Sequence, residues 1–146
     1  MSLLKELFFI PGVGPNPHST DLELTIPGTG EPTHKFSKIA HVIGKGDKLT
    51  ITLQQKGPGN GTSSIIGYCS TETDPSKIKL ESIKTGSTVN TTPGPAPYPP
   101  GTTEITFELD LGDQKMILIG IIVEVDRPGI GKKRYLCDPQ VGNGPP

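Results

Sequence analysis

The chain has 146 residues and a mass of 15.5 kDa, with 19 Gly, 16 Pro, 32% hydrophobic and 20% charged residues, and a formal net charge of −1. Gly and Pro together reach about twice their usual combined share of roughly 12%, and so many helix breakers exclude a helical bundle. A near-neutral charge argues against a nucleic-acid binder, which needs a basic excess on one face, and the gathering of apolar residues into short alternating runs argues against full disorder.

Taken in chain order, Leu7–Ile10 is a weak strand candidate. Lys5 and Glu6 interrupt the apolar run around it, and no small-residue cleavage site follows, so it does not read as a signal peptide. A Pro/Gly-rich loop spans 11–17. Leu22, Leu24 and Ile26 then alternate with Glu23 and Thr25, the period of a half-buried antiparallel strand. Phe36–Ile43 is a weaker candidate. After the turn Gly44-Lys45-Gly46-Asp47, Leu49, Ile51 and Leu53 alternate with Thr50, Thr52 and Gln54.

Gly57-Pro58-Gly59-Asn60-Gly61 reads as a hairpin turn into a strand at Ser63–Cys69. It lacks the Lys and the following helix that a phosphate-binding loop needs. Lys77–Ile83 is the next candidate. Thr91–Gly101, with its alternating prolines, is a long extended loop inside the domain. Ile105, Phe107, Leu109 and Leu111 alternate with Thr106, Glu108 and Asp110, and Gly112-Asp113 is expected to close that strand against Lys115–Val125.

Within Lys115–Val125, the run Met116–Val123 is apolar on both faces, as in a central strand or one reaching into a subunit contact. It is far shorter than the roughly 20 residues of a bilayer span. Asp126–Gly131 connects it to a return strand at Tyr135–Cys137, and a flexible tail covers 141–146. No repeat of solenoid length is visible. The expectation is one domain over 1–146: an all-β, antiparallel two-sheet β-sandwich, immunoglobulin-like or jelly-roll-like, with about eight short strands.

Chemistry-bearing residues are sparse. Cys69 and Cys137 read as small buried hydrophobes in a reducing compartment, with an inter-strand bridge or a reactive thiol as alternatives. His18, His34 and His41 share no i, i+2 or i, i+4 spacing, so surface histidines are the default. A hydrolase site gathered from them across loops is the least favoured reading. Asp110-Leu111-Gly112-Asp113 offers oxygens to a calcium ion without calcium-motif spacing.

Lys132-Lys133-Arg134 reads as a solvated strand edge guarded against aggregation, with an anionic ligand as the alternative. The chain has no Trp, three Tyr and four Phe. Tyr98, inside Pro97-Tyr98-Pro99-Pro100, is the one aromatic expected on display, so Tyr98, Pro97 and Pro99 are the candidate ligand or partner contacts.

The closing run Arg134–Val141 loosely resembles the aromatic-Asp-Pro strand that ends bacterial inclusion-body proteins, and Gly46-Asp47-Lys48-Leu49 before a strand is similar to them too. Cys137 stands where that pattern has an aromatic, and no residue role is carried over. The functional expectation is a non-enzymatic binding or assembly module with no cofactor and no metal, cytoplasmic, forming a homo-oligomer or presenting loops to a protein partner. The alternative is a lectin-like carbohydrate-binding domain, with or without calcium. Neither nucleic acid nor membrane is expected as a partner.

Overall fold

The computed structural model describes residues 17–38, 45–72, 74–110 and 118–138. Alternation along the chain decides what meets in the middle. Leu22, Leu24 and Ile26, then Leu49, Ile51 and Leu53, then Ile105, Phe107 and Leu109 are all buried, while their sequence neighbours face outward. Among the described residues there are nine strands: β1 (Pro17–Thr25), β2 (Thr33–Phe36), β3 (Asp47–Lys56), β4 (Thr62–Ser70), β5 (Ile78–Thr85), β6 (Thr88–Asn90), β7 (Thr102–Leu109), β8 (Ile119–Arg127) and β9 (Gly131–Cys137). Among the described residues there is no helix.

A six-stranded sheet in the order β2-β1-β3-β7-β5-β6 packs on a three-stranded sheet in the order β4-β8-β9. Both contribute to one core, where Tyr68 of β4 meets Phe107 of β7 edge-to-face at 4.7 Å. The all-β two-sheet expectation holds. The expected Leu7–Ile10 strand and residues 39–43 of the Phe36–Ile43 candidate lie outside the described residues, and the strand in that second region is the earlier Thr33–Phe36.

The chain departs from pure antiparallel pairing at one place. β1 and β3 run parallel, from Pro17↔Lys48 to Thr25↔Lys56. The cause is β2, which folds back on the far side of β1, so the link from β2 to β3 has to pass β1. Thr20 fastens that link: its hydroxyl donates to the Lys38 carbonyl at 2.7 Å and accepts the Lys38 N–H at 3.0 Å. A buried Thr on the strand face that also carries Leu22 and Leu24 is explained by this pair of bonds.

Two expected hairpins are instead changes of sheet. β3 and β7 belong to the six-stranded sheet, while β4 and β8, which follow them, belong to the other. At the first change, the Gly59 N–H donates to the Ile26 carbonyl at 2.9 Å. A Cβ at Gly57, whose φ is +98°, would overlap the Ile26 carbonyl oxygen, and one at Gly59 would overlap that of Pro27. The glycines are needed for this close approach of two backbone segments. At the second change, Gly112 and Asp113 lie outside the described residues.

Met116 and Ile117 lie outside the described residues; the expected pairing of the rest of that run with Tyr135–Cys137 is present as β8 and β9. Side chains at Ile119, Ile121, Val123 and Val125 fill the core, and Gly120, Ile122 and Glu124 face outward. Loops close the two flanks of the sandwich. On the β9 flank, Arg127 donates to the Gly30 carbonyl and, at 2.8 Å, to that of Pro27, and Tyr135 donates to Glu31 at 2.8 Å. On the β4 flank the proline-rich loop does the same work.

Cys69 and Cys137 are both free thiols, but only Cys137 is buried. Cys69 lies opposite Gly120, on the outer face, and Cys137 opposite Ile121, in the core. β8 and the sheet itself separate them, so the alternative of a bridge finds no geometry. Burial pushes the Cys137 thiol up to about 12. A thiol reagent is therefore expected to label one site per native chain, Cys69, and a second only after denaturation. Equal labelling of both in the native state would contradict this placement.

Candidate functional site

The structure redistributes the residues expected to form a site. Tyr98 is not displayed: its ring is 6% exposed and belongs to the core. Its N–H donates to the Ile66 carbonyl on β4 at 3.0 Å, and the Thr102 hydroxyl holds the Pro99 carbonyl at 2.8 Å. The proline-rich loop is thus pinned from both sides and plugs the β4 flank, with Ala96 lying against Gly67. The physical reason is local: a large half-apolar ring between prolines finds a gap beside Tyr68 that no strand fills. Pro97 and Pro99 stay on the surface.

Burial, and then the neighbouring Tyr68, push the Tyr98 hydroxyl up to about 12. Tyr98 and Cys137 have ordinary values of 10.0 and 9.0, so the unfolded chain loses both protons before the folded one does. The stability that these two groups contribute is whole below about pH 9 and falls as the pH rises toward about 12, by up to about 1.4 kcal/mol per pH unit for each group. Urea midpoints measured across this range should show a fall beginning near pH 9 that Cys137→Ala removes, and a further one beginning near pH 10 that Tyr98→Phe removes. A flat alkaline profile would contradict the burial of both.

The two described histidines, His18 and His34, lie on different strands and do not converge. The His18 Nε2 lies 3.0 Å from Asp47 Oδ2, joining β1 to β3 at one end of the core. His34 is on β2, edge-on to Phe36, and its Nε2 is buried with no hydrogen-bond partner among the described residues. His41 lies outside those residues. Asp110 donates its N–H to the Lys77 carbonyl at 2.8 Å, and Asp113 lies outside the described region. Among the described residues no group of three or more His, Cys, Asp or Glu is placed to hold a metal ion, and no helix is long and apolar enough to cross a membrane.

What the sequence reading missed is a difference between the two outer faces. The outer face of the six-stranded sheet is mostly polar and carries several cross-strand pairs, with one exposed apolar side chain, Val89 opposite Lys84, at its β6 edge. Thr50 meets Thr106 at 3.0 Å, Thr52 donates to Glu104 at 3.0 Å, and Lys56 and Lys48 pair with Glu23 and Glu81. The Lys56 ammonium, through its hydrogen bond and charge, holds Glu23 below the usual carboxylate range.

The outer face of the three-stranded sheet is divided. One half carries Cys69, Gly67, Gly120, Ile122 and Leu136, with Leu136 55% exposed. The other half carries charge: Arg134 donates to Glu124 at 3.4 Å, and Lys132 stands opposite Asp126. The apolar half was only partly legible, because Ile122 belongs to an evident hydrophobic run while Leu136 stands alone beside Cys137.

These features define a β-sandwich with one mostly polar and one half-apolar outer face. No family model matches the chain, and no curated protein matches it at a significant level.

Proposed function

We propose that the chain is a non-enzymatic binding and assembly module that self-associates through the outer face of its three-stranded sheet. The observation that carries this reading is the contrast between the two outer faces. The six-stranded face is mostly polar, with cross-strand pairs at Thr50–Thr106, Thr52–Glu104, Lys56–Glu23 and Lys48–Glu81, and its exposed Val89 stands by itself at the β6 edge. The three-stranded face sets half-buried Ile122 directly beside exposed Leu136, and burying their remaining apolar area contributes about 25 cal/mol per Å². A reducing, cytoplasmic setting goes with this reading, supported by the two free thiols. Presentation of the proline-rich loop has less support, because its aromatic residue is used inside the fold. The lectin-like alternative loses its displayed ring for the same reason.

Light scattering on the purified chain across a range of concentrations tests the proposal. Wild type should show a species larger than the monomer that grows with concentration, and Leu136→Asp should shift it to monomer while leaving the fold unchanged. A wild type that stays monomeric at every concentration overturns the self-association reading.

A further inference from the structure

Each sheet ends in edge strands whose outward N–H and C=O groups lack strand partners, and native proteins shorten, bend or cover such edges. Three of the four edges here are treated in that way. β2 has four residues and β6 three. β4 is interrupted by a register shift between Ile65 and Gly67, and the Tyr98 N–H occupies its Ile66 carbonyl.

β9 differs. It pairs with β8 in unbroken register from Ile121↔Cys137 to Arg127↔Gly131 and ends its sheet. Among the described residues, no backbone hydrogen bond besides those to β8 reaches residues 131–137.

The side chains along this edge have a definite order. Lys132, Arg134 and Leu136 follow one another at alternate positions on the outer face, all exposed. The acids opposite the two cations, Asp126 and Glu124, sit on β8, behind β9 as seen from the free edge, and Glu124 pairs with Arg134 at 3.4 Å. Lys133, on the other face, is answered by Glu31 at 3.5 Å. A strand laid along β9 therefore meets two cations and then an apolar side chain on its outer face.

We infer that β9 accepts, as a fourth strand, an extended segment of a protein partner carrying two acidic residues and one large apolar residue at alternate positions, opposite Lys132, Arg134 and Leu136. Main-chain hydrogen bonds supply affinity in such strand addition, and the alternate side chains supply selectivity. The cations that guard the edge against indiscriminate pairing also select a partner with the opposite charge. A second copy of β9 is disfavoured in the register that brings like charges together. Antiparallel pairing centred on Arg134 sets that residue against itself and Lys132 against Leu136, and like charges directly opposite destabilise a pair. The inference rests on the reading of the chain as a binding module but not on its self-association.

The test uses fluorescent peptides of about nine residues with a Thr background. Two Glu and one Leu are placed at alternate positions, in either chain direction, and the controls carry Lys or Gln in place of Glu. Fluorescence anisotropy should show the better-fitting Glu peptide binding wild type about tenfold or more tightly than its Lys counterpart, from the reversal of two cross-strand pairs. Added salt should weaken it. The double variant Lys132→Glu/Arg134→Glu should invert the preference, and hydrogen exchange at residues 131–137 should slow only when the favoured peptide is present.

No binding, equal affinity for Glu and Lys peptides, or a preference unmoved by charge reversal each overturns the inference. The two readings fail separately. A chain that self-associates but ignores the Glu peptide overturns this inference alone, and a monomer that binds the Glu peptide overturns self-association alone.

Discussion

Ile121→Lys should yield no stably folded protein under conditions in which Ile122→Lys folds and melts near wild type. The two positions are adjacent in sequence and equally apolar, but a strand sends them to opposite faces. Ile121 is fully buried among the core residues of both sheets, while Ile122 is half-buried on the outer face. A lysine at 121 either carries its charge into the core or ionises several pH units lower than usual. That costs several kcal/mol, and roughly 2 kcal/mol of isoleucine burial is lost with it. Against a typical total stability of about 5–15 kcal/mol, the change removes most or all of it. At 122 the ammonium reaches water, and a surface substitution there costs about 1 kcal/mol or less. Far-UV circular dichroism with thermal melting reads both; equal melting would contradict the opposite facing of the two residues, and a reversed order would mean that β8 lies the other way round.

That contrast also marks how far the fold could be read from the chain alone. Period-2 alternation identified the buried faces of β1, β3 and β7, because each of those strands has the core on one side and water on the other. The same signal is weak in β8, where Gly120 and Ile122 continue the apolar run on the outer face and alternation disappears. The three-residue β6 was not legible at all: Thr88, Val89 and Asn90 are exposed and carry no core residue.

Turn chemistry was read correctly as turn chemistry at Gly57–Gly61, but not its destination. Glycines permit a hairpin and a change of sheet equally well. What separates them here is the approach of Gly57 and Gly59 to the Ile26–Pro27 backbone, a long-range relation with no local signature. The parallel pairing of β1 and β3 has the same origin, since it depends on β2 passing to the far side of β1.

The candidate site was less legible than the fold, for a related reason. Prolines around Tyr98 predict an extended, surface-running segment, and Pro97 and Pro99 obey. Nothing in Pro97-Tyr98-Pro99 encodes that the β4 flank has an aromatic-sized gap next to Tyr68. The basic run at 132–134 was read as an exposed strand edge, and the structure places it so. Which cation meets which acid is a matter of register across β8 and of the Pro27–Glu31 loop. Glu31 shows how particular that register is: the Tyr135 hydroxyl first, and then the Lys133 ammonium, hold its carboxyl below the usual range, although the two partners are more than a hundred residues away.

Tyr98→Ala is expected to destabilise the chain by about 3–5 kcal/mol, the usual cost of removing a buried aromatic ring, and to lower the melting temperature by roughly 10 °C or more for a domain of this size. Two effects add. The ring leaves a cavity in the core beside Tyr68, and the residue that draws the loop onto the Ile66 carbonyl loses its anchor. Tyr98→Phe keeps the ring and the main-chain bond and should cost less than about 1.5 kcal/mol. Pro99→Ala and Pro100→Ala alter exposed side chains and should each stay within about 0.5 kcal/mol of wild type. Chemical denaturation of the four variants separates the two roles that Tyr98 could have. A residue displayed for a partner would leave stability untouched when truncated, so an unchanged midpoint for Tyr98→Ala would return the ring to the surface. The expected order, with Ala far below Phe and both prolines neutral, makes Tyr98 the plug of the β4 flank and leaves β9 as the one long edge, among the described strands, open to another chain.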